Sequence, residues 1–163
     1  MSKVIVGVIG PGENASPDAI ATAFELGRLI GLEGWVLLTG GRSAGVMDAA
    51  SKGAKEAGGL TVGVLPTSDS SGMSDAVDIP ILTGMGQARN NINVLSSRVL
   101  FVCGMGAGTA SEIALAIKAG KKVIMLCLDQ VSARFHTALG KESVLITENP
   151  AKAIAIAREL IGA

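Results

Sequence analysis

The stretch that decides the fold reads, from Arg98 to Glu112, Arg-Val-Leu-Phe-Val-Cys-Gly-Met-Gly-Ala-Gly-Thr-Ala-Ser-Glu. Its apolar part, Val99 to Cys103, has the length and the β-branched content of a buried strand. Three alternate glycines follow, and beyond them apolar residues recur at helical spacing between Ile113 and Ala119. The pattern predicts a strand, a glycine turn and a helix.

The glycine turn and the start of the predicted helix together favour an anion-binding site. A glycine lets a ligand approach the main chain, because it has no Cβ. A helix that begins near Thr109 directs its free amides and its positive dipole end at the turn. The same residues fit a capping box, in which Thr109 and Glu112 satisfy each other's amides without a ligand. The residues alone leave both interpretations open.

A second strand, glycine turn and helix precede this stretch. Trp35 to Thr39 is apolar, and it runs into Gly40-Gly-Arg-Ser-Ala-Gly-Val-Met47. The amides of this turn are a second candidate cradle for a phosphate, with the Arg42 guanidinium able to close over it. The alternative is a tight strand-to-helix connection, in which glycines are common and Arg42 points into solvent.

The whole chain alternates short apolar strands with helical patterns, which predicts one α/β domain over residues 1–163. Right-handed crossovers then give a Rossmann-like, doubly wound three-layer sandwich with a mostly parallel central sheet. Both glycine turns follow strands, so both lie at the carboxyl edge, where ligands bind in such sheets. Asp129 to Lys141 lacks a clean period and is expected to be a loop or a broken helix that could lie over a ligand.

Composition excludes several function classes. Lys plus Arg and Asp plus Glu both total 14, so there is no net positive charge to hold nucleic acid. No apolar run approaches the roughly 20 residues of a membrane span, and no secretory signal is visible, so we expect a cytoplasmic protein. With one histidine and two cysteines, the sequence offers no zinc cluster and no metal site is expected.

The two common nucleotide fingerprints are absent. A dinucleotide site would need Gly-x-Gly-x-x-Gly after the first strand, where this chain has Gly10-Pro-Gly-Glu-Asn-Ala15. It would also need an acidic residue at the end of the second strand, where the chain has Thr39 and glycines. A Walker lysine is missing before Thr109. The glycine turns and the helix start still predict a small phosphate-bearing ligand.

Three segments taken together resemble the LOG-like superfamily of Rossmann-type proteins. They are Gly40-Gly-Arg-Ser-Ala-Gly-Val-Met-Asp-Ala49, Gly84-Met-Gly-Gln-Ala-Arg-Asn90 and Gly106-Ala-Gly-Thr-Ala-Ser-Glu112. The superfamily includes cytokinin-activating phosphoribohydrolases, which cleave the N-glycosidic bond of nucleoside 5′-monophosphates. Those enzymes use an Arg and a Glu beside a Pro-Gly-Gly-x-Gly-Thr-x-x-Glu motif. If this chain is such a hydrolase, the resemblance makes Arg89 and Glu112 its catalytic residues.

The chain departs from the hydrolase pattern in two places. Gly104 and Met105 stand where the motif has Pro and its first Gly, and Asn90 replaces the Lys that usually follows the Arg. The Arg-Asn pair and the Glu112 to Lys121 run look closer to a second branch, the molybdenum cofactor carrier proteins. That resemblance implies an oligomer, a dimer or tetramer, that binds the pterin cofactor and is not an enzyme, with molybdoenzymes as candidate recipients.

The carrier is our leading hypothesis, and the phosphoribohydrolase is the alternative. The cofactor's phosphate would sit on the amides near Gly108 and Thr109, or near Ser43, with Arg89 or Arg42 as counter-charge. Because the chain has no Tyr and few other aromatic residues, Met and main-chain contacts would have to hold the pterin ring. The expected binding residues are Gly10, Gly40, Gly41, Arg42, Ser43, Gly45, Arg89, Gly104, Gly106, Ala107, Gly108, Thr109 and Glu112.

Overall fold

The apolar runs form a seven-stranded parallel sheet in the computed structural model, which describes residues 2–162. The predicted domain, residues 1–163, also includes Met1 and Ala163, which lie outside the described residues. The strands are β1 (Ile5–Ile9), β2 (Val36–Thr39), β3 (Thr61–Leu65), β4 (Ile79–Leu82), β5 (Val99–Cys103), β6 (Lys122–Leu126) and β7 (Val144–Ile146). The helices are α1 (Pro17–Leu32), α2 (Gly45–Glu56), α3 (Asn90–Ser96), α4 (Ala107–Lys118), α5 (Gln130–Gly140) and α6 (Pro150–Gly162), with short 3₁₀ segments at Gly86–Arg89 and Lys141–Ser143.

The strand order is β4-β3-β2-β1-β5-β6-β7. Strands β2 to β4 therefore follow one another on one side of β1, and strands β5 to β7 follow one another on the other side. β1 pairs in parallel with both β2 and β5, for example Val8 with Phe101. The order therefore reverses between β1 and β5. In open parallel sheets a ligand crevice forms where the order reverses, outside the carboxyl ends of the strands.

Helices cover both faces of the sheet. Along β5, Val99, Phe101 and Cys103 belong to one buried cluster with residues of α1, α2 and α6. Leu100 and Val102 belong to a second cluster, with residues of α3 and α4. Burial on both faces explains why β5 is apolar throughout rather than alternating. The predicted α/β, doubly wound three-layer fold is confirmed.

Helices α1 and α2 pack unusually closely through glycines. A Cβ built on Gly27 would lie 2.0 Å from the carbonyl oxygen of Ala50, and one on Gly53 would lie 2.0 Å from that of Phe24. The glycines thus let the two backbones touch directly. The small-residue faces of α1 and α2 therefore pack against each other within the chain.

The helix ends follow the sequence signals in two cases. Ser16 caps α1 by accepting a hydrogen bond from the Ala19 amide at 3.2 Å. Asn149 does the same at the start of α6, accepting from the Lys152 amide at 3.0 Å. In both cases Pro follows the cap residue, which is the sequence pattern typical of a helix start.

The expected loop or broken helix from Asp129 to Lys141 is wrong, because Gln130–Gly140 forms the continuous helix α5. Asp129 caps it by accepting from the amides of Val131 and Ser132. The apolar residues Val131, Phe135 and Leu139 stand four residues apart, which is helical spacing, but they are exposed rather than packed in the core. Among residues 2–162, every helix falls short of the length and apolarity that a membrane crossing needs.

Candidate functional site

A cavity of about 450 Å³ opens at the carboxyl edge of the sheet, where the strand order reverses. Its walls come from the loop after β1, the turn after β2, the segment before α3 and the start of α4. The volume lies within the range of small-molecule sites. The lining residues are Gly10, Pro11, Gly12, Glu13, Asn14, Arg42, Met47, Pro66, Gln87, Arg89, Asn90, Met105, Gly106, Ala107, Gly108, Thr109 and Glu112.

The start of α4 presents its backbone to this cavity. The helix begins at Ala107, and its N-cap is Gly106, which supplies no side-chain hydrogen bond. Gly108 has open space where a Cβ would be. The first amides of the helix are therefore available to an anion, together with the positive end of the helix dipole.

The capping-box interpretation of Thr109 and Glu112 is wrong. The helix starts two residues earlier than expected, so neither side chain sits at a capping position. Thr109 Oγ1 is buried without a hydrogen-bond partner, and Glu112 Oε1 instead accepts from Asn93 Nδ2 at 3.0 Å. The capping box therefore does not account for these two residues.

Arg89 is buried at the inner end of the cavity, with 7 % of its surface exposed. Its guanidinium donates to Asn90 Oδ1 and, at 3.5 Å, to the carbonyl oxygen of Gly40. The Nε–H has no partner, and burial lowers the pKa of Arg89 from its usual range. A buried cation with a free donor is suited to binding an oxyanion.

Gly40 makes the position of Arg89 possible. A Cβ on Gly40 would lie 2.7 Å from Arg89 Nη2 and 2.8 Å from Met47 Sδ. Both contacts are shorter than real Cβ atoms accept, so a larger residue would push the guanidinium aside. Gly40 thus positions the arginine without lining the main cavity itself.

The buried side-chain nitrogen and oxygen atoms that lack a hydrogen-bond partner gather at this site. Within residues 2–162 they are Arg89 Nε, Asn93 Oδ1 and Thr109 Oγ1. Arg89 and Thr109 line the cavity, and Asn93 contacts Glu112. An unsatisfied buried group costs about 1–3 kcal/mol. A ligand that accepted hydrogen bonds from Arg89 and Thr109 would recover that free energy at those two donors.

The second glycine turn has a different arrangement. The Ser43 amide donates to the Gly72 carbonyl at 2.8 Å, and the Gly41 amide donates to Thr39 Oγ1 at 3.1 Å. The Val46 amide, in the first turn of α2, donates to Pro11 at 3.0 Å. Amides already bonded to the protein are poor ligands for a phosphate. Of the stretch from Gly40 to Met47, Arg42 and Met47 line the cavity and the glycines and Ser43 do not.

The structure thus brings together most of the predicted binding residues and separates the rest. Gly10, Arg42, Arg89, Gly106, Ala107, Gly108, Thr109 and Glu112 line the cavity. Gly40, Gly41, Ser43, Gly45 and Gly104 lie outside its lining.

Among the residues that the sequence analysis missed, Glu13 and Asn14 follow β1 at the point of strand reversal, and that position is a signal that could have found them. Asn93 carries no such signal, because its role depends on contact between α3 and α4.

Burial dominates the ionisation of Glu112. It raises the pKa of that carboxyl, against the hydrogen bond from Asn93 and the charge of Arg89, which lower it. Among residues 2–162, no three His, Cys, Asp or Glu side chains come together as a metal-binding group. Glu112 is the one buried carboxyl of the cavity lining.

We expect Glu112→Gln to raise the free energy of unfolding at pH 7. Because the folded pKa is raised, the stability that Glu112 contributes is complete below the unfolded pKa of about 4.3 and is lost as pH rises through the folded pKa. Glutamine carries no charge to bury and can still accept from Asn93. Urea unfolding from pH 4 to pH 8 should show that the variant has a higher free energy of unfolding than the wild type, and that this difference becomes smaller toward pH 4.

Glu33→Gln is the matched control for this titration. A hydrogen bond from Arg158 lowers the pKa of Glu33, so its stabilising contribution is present above the unfolded pKa and is lost as pH falls. That substitution should lower stability at pH 7. A loss of stability at pH 7 in Glu112→Gln would contradict the prediction.

The family of the chain follows from comparison with known proteins. The model of the SLOG cluster4 family matches residues 3–154. The chain belongs to the SLOG cluster4 family. This agrees with the resemblance to LOG-like proteins stated above, which is confirmed.

Solved structures of two proteins resemble this SLOG cluster4 member along the whole chain. The molybdenum cofactor binding protein from the phototrophic bacterium Rippkaea orientalis is 53% identical, with a TM-score of 0.97 and 99% of each chain covered. The molybdenum cofactor carrier protein MCP from Chlamydomonas reinhardtii is 52% identical, with a TM-score of 0.95 and coverage of 99% of this chain and 100% of that one. An uncharacterized protein from Archaeoglobus fulgidus is 47% identical over 126 residues, which are 77% of this chain and 82% of the relative.

Proposed function

We propose that this protein binds molybdenum cofactor and carries it. The observation that carries the proposal is the likeness to two proteins described as binding or carrying that cofactor, at more than 50% identity along essentially the whole chain. The cavity at the strand reversal supports it, since its volume of about 450 Å³ suits a small ligand.

The phosphate of the cofactor would lie on the first amides of α4. Thr109 Oγ1 and Arg89 Nε, both buried and without partners, are side-chain donors of residues in the cavity wall. A phosphate oxygen accepts from amide, hydroxyl and guanidinium donors alike, and charge-assisted bonds of this type are strong. The pterin would then contact the remaining walls, where Met47 and Met105 supply adaptable apolar surface.

The proposal is for binding without catalysis. Glu112 is held by Asn93, and the ion pairs found in residues 2–162 do not join it to Arg89. The replaced motif residues Gly104 and Met105 also favour a carrier. Incubation with nucleoside 5′-monophosphates should therefore release no free base, and release that Glu112→Gln abolishes would support the phosphoribohydrolase instead.

The direct test is co-elution. Purified protein is incubated with molybdenum cofactor and passed through gel filtration, and the protein peak is assayed for the fluorescence of the oxidised pterin. We expect close to one pterin per chain. An empty protein peak, with intact cofactor in the small-molecule fraction, would overturn the proposal.

Thr109→Val separates binding from stability. Valine has nearly the shape of threonine but lacks the hydroxyl, so the free protein loses an unsatisfied buried group and gains about 1 kcal/mol in unfolding free energy. The ligand loses one donor, which weakens cofactor binding about tenfold. Thermal unfolding and equilibrium dialysis measure the two effects, and unchanged cofactor affinity would remove Thr109 from the site.

As a carrier, the protein would hand its cofactor to molybdoenzymes. That transfer and the assembly into a dimer or tetramer remain predictions from the resemblance, and a cytoplasmic location remains a prediction from the sequence. Transfer is tested by mixing the loaded protein with a cofactor-free molybdoenzyme and measuring recovered enzyme activity. Sedimentation velocity measures the oligomer.

A further inference from the structure

An ion pair crosses the mouth of the cavity. Arg42, in the turn after β2, donates through Nη2 to the Glu13 carboxylate, in the loop after β1. Both residues line the cavity. A Cβ built on Gly12 would lie 3.8 Å from Arg42 Nη1, so the guanidinium lies over the β1 loop. The pair therefore joins two loops that border the same opening.

This pair is open to water. The side chain of Arg42 is 42% exposed and that of Glu13 is 65% exposed. Exposed ion pairs add little to folding stability, because water and salt compete with both charges. A backbone hydrogen bond and Arg42 lower the pKa of Glu13, so its carboxylate is charged near neutral pH. The pair is thus a weak bond in which a second anion could replace the carboxylate.

The charges that line the cavity balance one another. The cations are Arg42 and Arg89, and the carboxyl groups are Glu13 and Glu112. Arg89 is buried at the inner end, whereas Arg42 is reached from solvent. An entering phosphate meets Arg42 first, and there it meets Glu13 as a like-charged competitor.

We propose that Glu13 is a displaceable counter-ion for Arg42, whose place an anionic group of the ligand takes on entry. When the ligand leaves, the Glu13 carboxylate returns to the guanidinium. Glu13 then lowers the affinity for the anion and speeds its release, which is the property that a carrier requires. The identity of the ligand rests on the proposed function, but the exchange itself applies to any phosphate-bearing molecule in this cavity.

The test is Glu13→Gln, with inorganic phosphate as a first probe and molybdenum cofactor as a second. Removing the competing charge should tighten phosphate binding about fivefold, because the interaction free energy of an exposed ion pair corresponds to a change in affinity of about that size. Titration followed by phosphorus NMR measures the dissociation constant. The dissociation rate of bound cofactor, followed by pterin fluorescence, should fall in the same variant.

Two further variants distinguish the exchange at Arg42 from the effect of simply removing one negative charge from the protein. Glu33→Gln removes the same charge from a pair with Arg158 outside the cavity lining, and it should leave phosphate binding unchanged. In the Arg42→Ala background, Glu13→Gln should not tighten phosphate binding. An equal increase in phosphate affinity in that background, or no increase in the wild-type background, would overturn the proposal.

The outcomes also separate this proposal from the proposed function. If cofactor does not co-elute with the protein but Glu13→Gln still tightens phosphate binding through Arg42, the carrier function fails and the exchange stands. If cofactor co-elutes and Glu13→Gln leaves both affinity and dissociation rate unchanged, the exchange fails and the carrier function stands.

Discussion

Replacing Arg89 with alanine is expected to weaken binding of molybdenum cofactor about 100-fold, because a buried charge-assisted contact typically contributes a few kcal/mol. The guanidinium is almost fully buried in the cavity wall, and its Nε–H has no partner in the free protein. Alanine leaves neither the charge nor the donor. Equilibrium dialysis of the cofactor measures the change in dissociation constant.

Arg158→Ala is the matched control. Arg158 is paired with Glu33 at an exposed site outside the cavity lining, so its removal should leave cofactor affinity unchanged. Arg89→Lys should give an intermediate affinity, because lysine keeps the charge but cannot form the planar fork. Cofactor affinity within twofold of the wild type in Arg89→Ala would exclude Arg89 from the binding site.

Gly27→Ala is expected to lower the free energy of unfolding by about 3 kcal/mol, the upper range for overpacking a buried contact. The added methyl would lie 2.0 Å from the carbonyl oxygen of Ala50, which is backbone and cannot rotate away. Helices α1 and α2 must then separate, and the buried cluster that they form with the sheet loses contacts. Urea unfolding at pH 7 measures the loss.

Gly162→Ala controls for the intrinsic helix preference of alanine. Gly162 is the last residue of α6 and has nothing within 4 Å of its would-be Cβ, so the substitution should be neutral or slightly stabilising. Equal stability of Gly27→Ala and the wild type would mean that α1 and α2 can move apart at little cost.

The strands could be predicted because burial on both faces of a parallel sheet leaves continuous apolar runs in the sequence. Val99 to Cys103 is the clearest example. Helix α5 does carry a helical signal, since Val131, Phe135 and Leu139 stand four residues apart, but the sequence analysis expected a loop or broken helix there. Only the structure showed that this apolar stripe is exposed rather than packed in the core.

The spacing of Thr109 and Glu112 is that of a capping box, and this interpretation, one of the two that the sequence left open, is wrong. The helix begins at Ala107, and the carboxyl group of Glu112 accepts a hydrogen bond from Asn93 in helix α3. A capping motif competes with tertiary contacts, and here the contact between α3 and α4 is the one formed.

The sequence by itself determined the α/β class, the two glycine turns at the ends of strands and the family to which the chain belongs. These depend on local spacing and on residue identity, which a linear chain carries. The tertiary structure alone decided which of the two glycine turns contributes most of its residues to the cavity wall. The Ser43 amide is bonded to Gly72 from a distant loop, whereas the first amides of α4 face a cavity beside Arg89. Such partners are set by packing between segments far apart in sequence, so no local pattern records them.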